Sequence, residues 1–200
     1  MTLQVSHAAV DDRLLCARGV ATPMPDWTAY LVYDFRGATL FALWFLLGSQ
    51  AVAGLSDLRR MSAQREFLEI WVAFTLVVLG IDGWRVYQGE ADLSVYGVKW
   101  GLIIVAGLLS WEHVGVLFRL ARGDVWGIVA VCSLFNPLFV VIYVVLLKVA
   151  DLVMRPGLRA FGSGSAYPFI PVVLVATLAT VALIALDLVE RVLPASVLPG

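Results

Sequence analysis

Residues 37–60 read GATLFALWFLLGSQAVAGLSDLRR: twenty residues without a charge, then Asp57, Leu58 and the pair Arg59-Arg60. A transmembrane helix takes about 20 apolar residues, so this stretch is long enough to cross a bilayer and closes on the charges that mark a membrane boundary. The rest of the chain follows suit. Further uncharged stretches run from Ile70 to Ile81, Trp100 to Trp111, Val125 to Leu147 and Ala160 to Leu186. The second lengthens if it takes in Glu69 and Asp82, and the third reaches Phe118 if it tolerates Glu112 and His113. Hydrophobic residues make up 61% of the 200 and charged residues 14%, against roughly 25% charged in soluble domains. With a mean hydropathy of +0.90, the expected solvent is the lipid bilayer and the expected fold an all-α, multi-pass helical bundle.

The length leaves room for one bundle, placed at residues 37–191, between a polar N-terminal arm at 1–36 and a short tail at 192–200. The arm carries Asp11, Asp12, Arg13 and Arg18 where a cleavable signal sequence needs an apolar core, so insertion is expected to use the first span. The last span is expected to start near Pro168, because Gly162, Ser163, Gly164 and Ser165 form a flexible linker and proline suits a first helical turn. The fourth stretch contains Asn136-Pro137 in its middle, and proline removes a helical hydrogen bond. It is therefore one kinked helix, giving five spans, or two short helices, giving six. Lys and Arg favour the cytoplasmic side. Six segments put Arg59, Arg60, Arg65, Arg119, Arg122, Lys148, Arg155 and Arg159 on that side, and Arg85, Lys99 and Arg191 opposite, beside Asp82, Glu90, Asp92 and Glu190. Six is the preferred reading, with both termini outside and the segment from Val125 to Phe135 too short to span about 30 Å by itself.

A net charge of −1 from two Lys and twelve Arg against 15 acids offers no basic field for nucleic acid. Cys16 and Cys132 form neither a disulfide framework nor a thiolate zinc site, and no metal ligand set is expected. No internal repeat and no clean Gly-x-x-x-Gly pattern indicates an oligomeric state, although Gly80, Gly101 and Gly107 are candidates for close helix contacts.

Two carboxylates stand out. Asp57 closes the first span and Asp124 opens the fourth, at the same expected boundary. Two carboxyl groups in a region of low dielectric share one proton, one serving as base toward water and the other as acid toward a peptide carbonyl; the pair titrates as a unit. The alternative is a pair of interfacial charges beside Arg59, Arg60 and Arg122.

At these positions the chain resembles the membrane aspartic peptidases that process prepilins and preflagellins, whose wider class carries a Gly-x-Gly-Asp motif. Gly54-Leu55-Ser56-Asp57-Leu58-Arg59-Arg60 is similar to the family's first aspartate with its following hydrophobic and basic residues. Ala121-Arg122-Gly123-Asp124 resembles Gly-x-Gly-Asp, followed by Leu134-Phe135-Asn136-Pro137 in place of Leu-Phe-Pro. Pro168-Phe169-Ile170-Pro171 and the late Asp187 resemble the start and end of the last helix in archaeal preflagellin peptidases. The likeness runs in order from Gly37 to Arg191. It departs at Ala121, where the family has Gly, at Trp126, where Lys is frequent, and in lacking Ile-Pro-Asn downstream of the first aspartate. The resemblance implies a protease-only, archaeal-type enzyme. It would cut between a short basic leader and the hydrophobic segment of a pilin or archaellin precursor at the cytoplasmic face, with Asp57 and Asp124 catalytic, Arg122 and Gly123 supporting the motif, and no cofactor.

Glu112 and His113 sit in the third hydrophobic stretch, where an ionisable group is costly. Glu112 and Arg119 would share a helical stripe, which makes Glu112 and His113 a candidate polar pathway. Lys148 and Asp151 have the spacing of a helical ion pair, and Trp71, Trp84, Trp100, Trp111 and Trp126 suit interfacial anchors. Two other functions therefore stay open: an inactive homologue or membrane interaction subunit, and a small proton-coupled transporter or channel using Glu112 and His113, with Asp82 and Asp187 along the path.

Overall fold

The computed structural model describes residues 37–60, 65–89, 92–159 and 167–186, apart from the side chain of Arg60. The N-terminal arm with Cys16, the linker at 162–165, Glu90, Asp187, Glu190, Arg191 and the tail lie outside the described residues. Within them the chain is all-helical: α1 (Ala38–Arg60), α2 (Arg65–Tyr87), α3 (Leu93–Ser110), α4 (Arg122–Leu134), α5 (Pro137–Leu158) and α6 (Ile170–Ala185). Four of these, α1, α2, α3 and α5, are long and apolar enough to cross a membrane, and α6 is a shorter apolar helix of 16 residues.

Each long helix buries one stripe and turns apolar side chains outward. In α1 the buried positions are Leu43, Leu46, Gln50, Ala53 and Asp57, spaced three and four residues apart, so they lie on one face of a 3.6-residue helix. Phe41, Trp44, Phe45, Val52 and Leu55 face away from the protein, as a helix against lipid requires. In α5 the same logic aligns Phe139, Tyr143, Leu147 and Asp151. Both stripes carry an aspartate near the C-terminal end of the helix.

The organising element is α4. At 13 residues it is about 20 Å long at 1.5 Å per residue, short of the roughly 30 Å of a hydrocarbon core. It nevertheless packs against α1, α2, α3 and α6, and Gly127, Ile128, Ala130, Val131, Cys132 and Ser133 are all buried. A helix whose middle and C-terminal half are covered by its neighbours need not match the bilayer by its own length. The approach is close at Gly127, where an added Cβ would stand 3.2 Å from the Trp71 ring. Trp71 is fully buried and donates its indole N–H to Ser49 Oγ at 3.1 Å, so it ties α2 to α1 and is not an interfacial anchor. Its neighbours in type divide differently: Trp84 is exposed.

The stretch around Asn136-Pro137 is two helices. Phe135 and Asn136 have extended backbones (ψ 152° and 162°) and Pro137 stands in the first turn of α5. A residue before proline is driven out of the helical region, which ends α4, and the missing proline N–H is harmless at a helix start. The last helix begins at Ile170, two residues beyond Pro168, with Pro171 in its first turn.

Candidate active site

The last turn of α1, the first turn of α4 and the start of α6 meet at one end of the bundle. Asp57, 5% exposed, lies on the buried stripe of α1 and accepts a long hydrogen bond from the backbone N–H of Ile170 at 3.4 Å. The two prolines of Pro168-Phe169-Ile170-Pro171 carry no N–H, and the first N–H groups of a helix lack intrahelical partners. Ile170 therefore presents a free donor where Asp57 arrives. Gly54, one turn earlier, faces the Pro171 ring, with 3.7 Å between that ring and an added Cβ.

Asp124 occupies the first turn of α4. The N-cap is Ala121, with φ −64° and ψ 159°. That is ordinary extended backbone open to any residue, so alanine stands there without strain. Arg122 extends outward with its guanidinium 5.9 Å from the centre of the Trp111 ring, and Gly123 faces the same space as Asp124.

Asp57 and Asp124 line one cavity of about 840 Å³, together with Gly123, Phe118, Tyr167 and Phe169. Burial, and next the Asp57 carboxylate, push Asp124 up to about 7. Loss of hydration and a like charge both penalise the ionised carboxylate. Burial and the neighbouring Asp57 charge thus favour a proton on Asp124 up to about neutral pH.

The segment between α3 and α4 corrects the expectation for Glu112 and His113. Helix α3 stops at Ser110 instead of running to Phe118, and residues 111–121 fold back as a loop. That loop is pinned by Leu117 N–H to Leu109 C=O (3.0 Å), Leu120 N–H to Ser110 C=O (3.1 Å) and Glu112 N–H to Leu120 C=O (3.1 Å). Gly115 turns the chain with φ +55°. The side chains of His113 and Glu112 are 66% and 51% exposed and 3.7 Å apart. The loop spares two ionisable groups from the interior, where charge is expensive, and they lie beyond the end of α3, not within it. Glu112 does share the cavity lining with Arg119, through the loop and not through a helical stripe. Asp82 is paired elsewhere, with Lys99 Nζ at 2.7 Å and the Trp100 indole N–H at 3.0 Å.

The expected Lys148 to Asp151 pair does not form. Lys148 donates to the Leu117 carbonyl at 2.6 Å, which fastens the loop to α5. Asp151, 1% exposed, accepts from the Arg155 guanidinium and from the Tyr167 hydroxyl. Burial and the bond to Asp151 push the Tyr167 hydroxyl up to about 12, which keeps it a donor. Arg155 and Tyr167 line the cavity with the two aspartates, and sequence reasoning assigned neither to a site. The available signal was the grouping of Arg65, Arg119, Lys148, Arg155 and Arg159 at helix ends of one expected side. All five line this cavity, whereas their number had been ascribed to topology alone. Of the candidate close-contact glycines, Gly107 meets Val129 of α4, while Gly80 and Gly101 face open space.

Among the described residues no three His, Cys, Asp or Glu side chains converge as a metal-ligand set. The chemistry on display is that of two carboxyls, a phenol and a ring of cations around a polar cavity. The chain matches no protein-family model, no curated protein and no solved structure.

Proposed function

We propose that the chain is a membrane-embedded aspartic endopeptidase that cleaves the leader of pilin- or archaellin-type precursors at the cytoplasmic face of the cell membrane. One observation carries this function: Asp57 and Asp124, far apart in sequence and on different helices, line the same cavity. The six-segment topology belongs to the same proposal. It is supported by the break at Asn136-Pro137 and by the five basic residues, drawn from several helix ends, that surround one cavity.

In the proposed reaction Asp57 acts as base, taking a proton from water as the water oxygen bonds to the scissile carbonyl carbon. Asp124 gives its proton to the carbonyl oxygen, and a tetrahedral diol forms. On collapse of the diol Asp57 gives the nitrogen the proton it took from water, the C–N bond breaks, one diol hydroxyl returns a proton to Asp124, and an amine and a carboxylic acid are released. The Ile170 N–H steadies the Asp57 carboxylate through the water-activating step.

The test is cleavage of a panel of prepilin and archaellin precursors by the protein in liposomes, followed by mass spectrometry, beside Asp57→Asn and Asp124→Asn. Cleavage by the wild type that is lost in both variants supports the dyad. Equal cleavage by either variant rejects it, and a folded wild type that cuts none of the panel leaves the non-catalytic homologue as the better description.

A further inference from the structure

The cavity holds more positive charge than its own dyad can use. Arg65, Arg119, Lys148, Arg155 and Arg159 all line it. Two of these are matched locally: Arg65 pairs with Glu69 at 2.9 Å on the surface, and Arg155 is held by Asp151. Arg119, Lys148 and Arg159 form no ion pair with any acid among the described residues. Lys148 spends one N–H on a carbonyl, which fixes its position without neutralising it. The facing acids are Glu112, beside His113, and a dyad that shares one proton. Cations gathered around one cavity repel one another unless an anion joins them, and charge complementarity of this kind sets which partner is admitted.

We propose that the cavity takes a peptide bearing an acidic side chain, seated on Arg119, Lys148 and Arg159, with the basic part of a leader lying away from this rim. This rests on the peptidase reading for the word substrate, but the rim's preference for an anionic peptide can be measured without cleavage. Arg119 and Arg159 are exposed, free to reach an incoming carboxylate, and guanidinium groups bind carboxylates through two parallel N–H bonds. Lys148 is held at the loop, 4.7 Å from the Phe118 ring centre.

The experiment uses the full chain carrying Asp57→Asn in phosphatidylcholine vesicles, with three fluorescent peptides that differ only in having Glu, Gln or Lys at one central position. The Glu peptide is expected to bind about tenfold tighter than the Gln peptide, with the advantage shrinking as salt rises and vanishing in the Arg119→Gln/Arg159→Gln double variant. Arg119→Lys/Arg159→Lys is expected to keep part of it, which separates charge from a folding defect. Equal binding of all three peptides, or preference for Lys, overturns the proposal. So does a Glu preference abolished by phosphatidylglycerol vesicles, which would assign the rim to lipid phosphate. The same peptides given to the wild type separate the two readings. Glu-selective binding without cleavage keeps the acidic-peptide site and removes the peptidase, and cleavage without Glu selectivity does the reverse.

Discussion

Two buried aspartates at opposite ends of the helices show how neighbours decide what a carboxylate is for. Asp82 lies 17 residues beyond the start of α2, about 25 Å at 1.5 Å per residue from the end whose Arg65 shares the cavity with Asp57. Its charge is answered by Lys99, and the Trp100 indole N–H donates to the same carboxylate oxygen, Oδ2. Asp57 is as deeply buried, yet it faces a cavity, a second carboxyl and only backbone donors, Ile170 and Phe169, with no cation among the described residues paired to it. The first arrangement is closed and holds α2 to α3. The second leaves proton-transfer capacity unspent, at an expense in stability.

If that contrast is right, Asn at 57 or 124 will lower cleavage by a factor of about 10² to 10⁴, the range of a lost acid or base. Asp82→Asn will leave the cleavage rate of the folded fraction near wild type. A comparable rate loss at position 82, measured on protein of matched folding, would break the comparison. The stability ranking is expected to invert. Removing one partner of the closed pair, as in Lys99→Met, is expected to cost about 3–5 kcal/mol, because the other charge is left buried alone. Lys99→Met with Asp82→Leu together will recover most of it. Thermal unfolding in detergent reads both.

Asp124 supplies the pH dependence. Its carboxyl stands near 7 in the fold against about 3.9 in an unfolded chain, so the folded state holds the proton more tightly. The stability this gives is present in full below about 4 and is lost as pH rises through about 7. Asp124→Asn will therefore be more stable than the wild type at pH 8, by roughly 1–3 kcal/mol, and will show little of the wild-type decline between pH 5 and 8. The cleavage rate of the wild type will fall above about pH 7 as the shared proton leaves. A profile that rises through this range would reverse the assignment of Asp124 as the proton holder.

Smaller effects sharpen the frame around the site. Gly127→Ala places a methyl group 3.2 Å from the buried Trp71 ring and is expected to cost about 1 kcal/mol of overpacking, detectable as a lower unfolding temperature. Ala121→Gly, at an N-cap of ordinary extended backbone, is expected to change the proposed cleavage by no more than about twofold. A large gain there would mean that Ala121 obstructs the cavity it lines.

Parts of this site were legible in the sequence and parts were not. Asp57 falls 14 residues, two heptads, after Leu43 on the stripe that the 3.6-residue repeat turns inward, so its burial could be read from spacing. The pairing with Asp124 could be only an expectation, since it depends on how two helix ends dock. Glu112 and His113 misled because hydropathy over a window does not register a chain that leaves the helix at Ser110 and is caught by backbone hydrogen bonds. Lys148 and Asp151 misled because spacing along one helix is blind to better partners on the loop and at Tyr167.

The sequence by itself determined an all-helical chain with segments fit for a bilayer, since twenty uncharged apolar residues in a row leave few other solvents. It also marked Asn136-Pro137 as a kink or a break, because the constraint there is covalent; the fold made it a break between two helices. Only the tertiary structure decided that the shortest helix lies at the centre, that Asp57 and Asp124 share a cavity while Asp82 is sealed by Lys99, and that cations scattered over more than ninety residues gather around one space. Local propensity acts within a few turns of chain; which carboxylate meets a cation and which meets another carboxylate is set by packing between helices, where distance in space replaces distance in sequence.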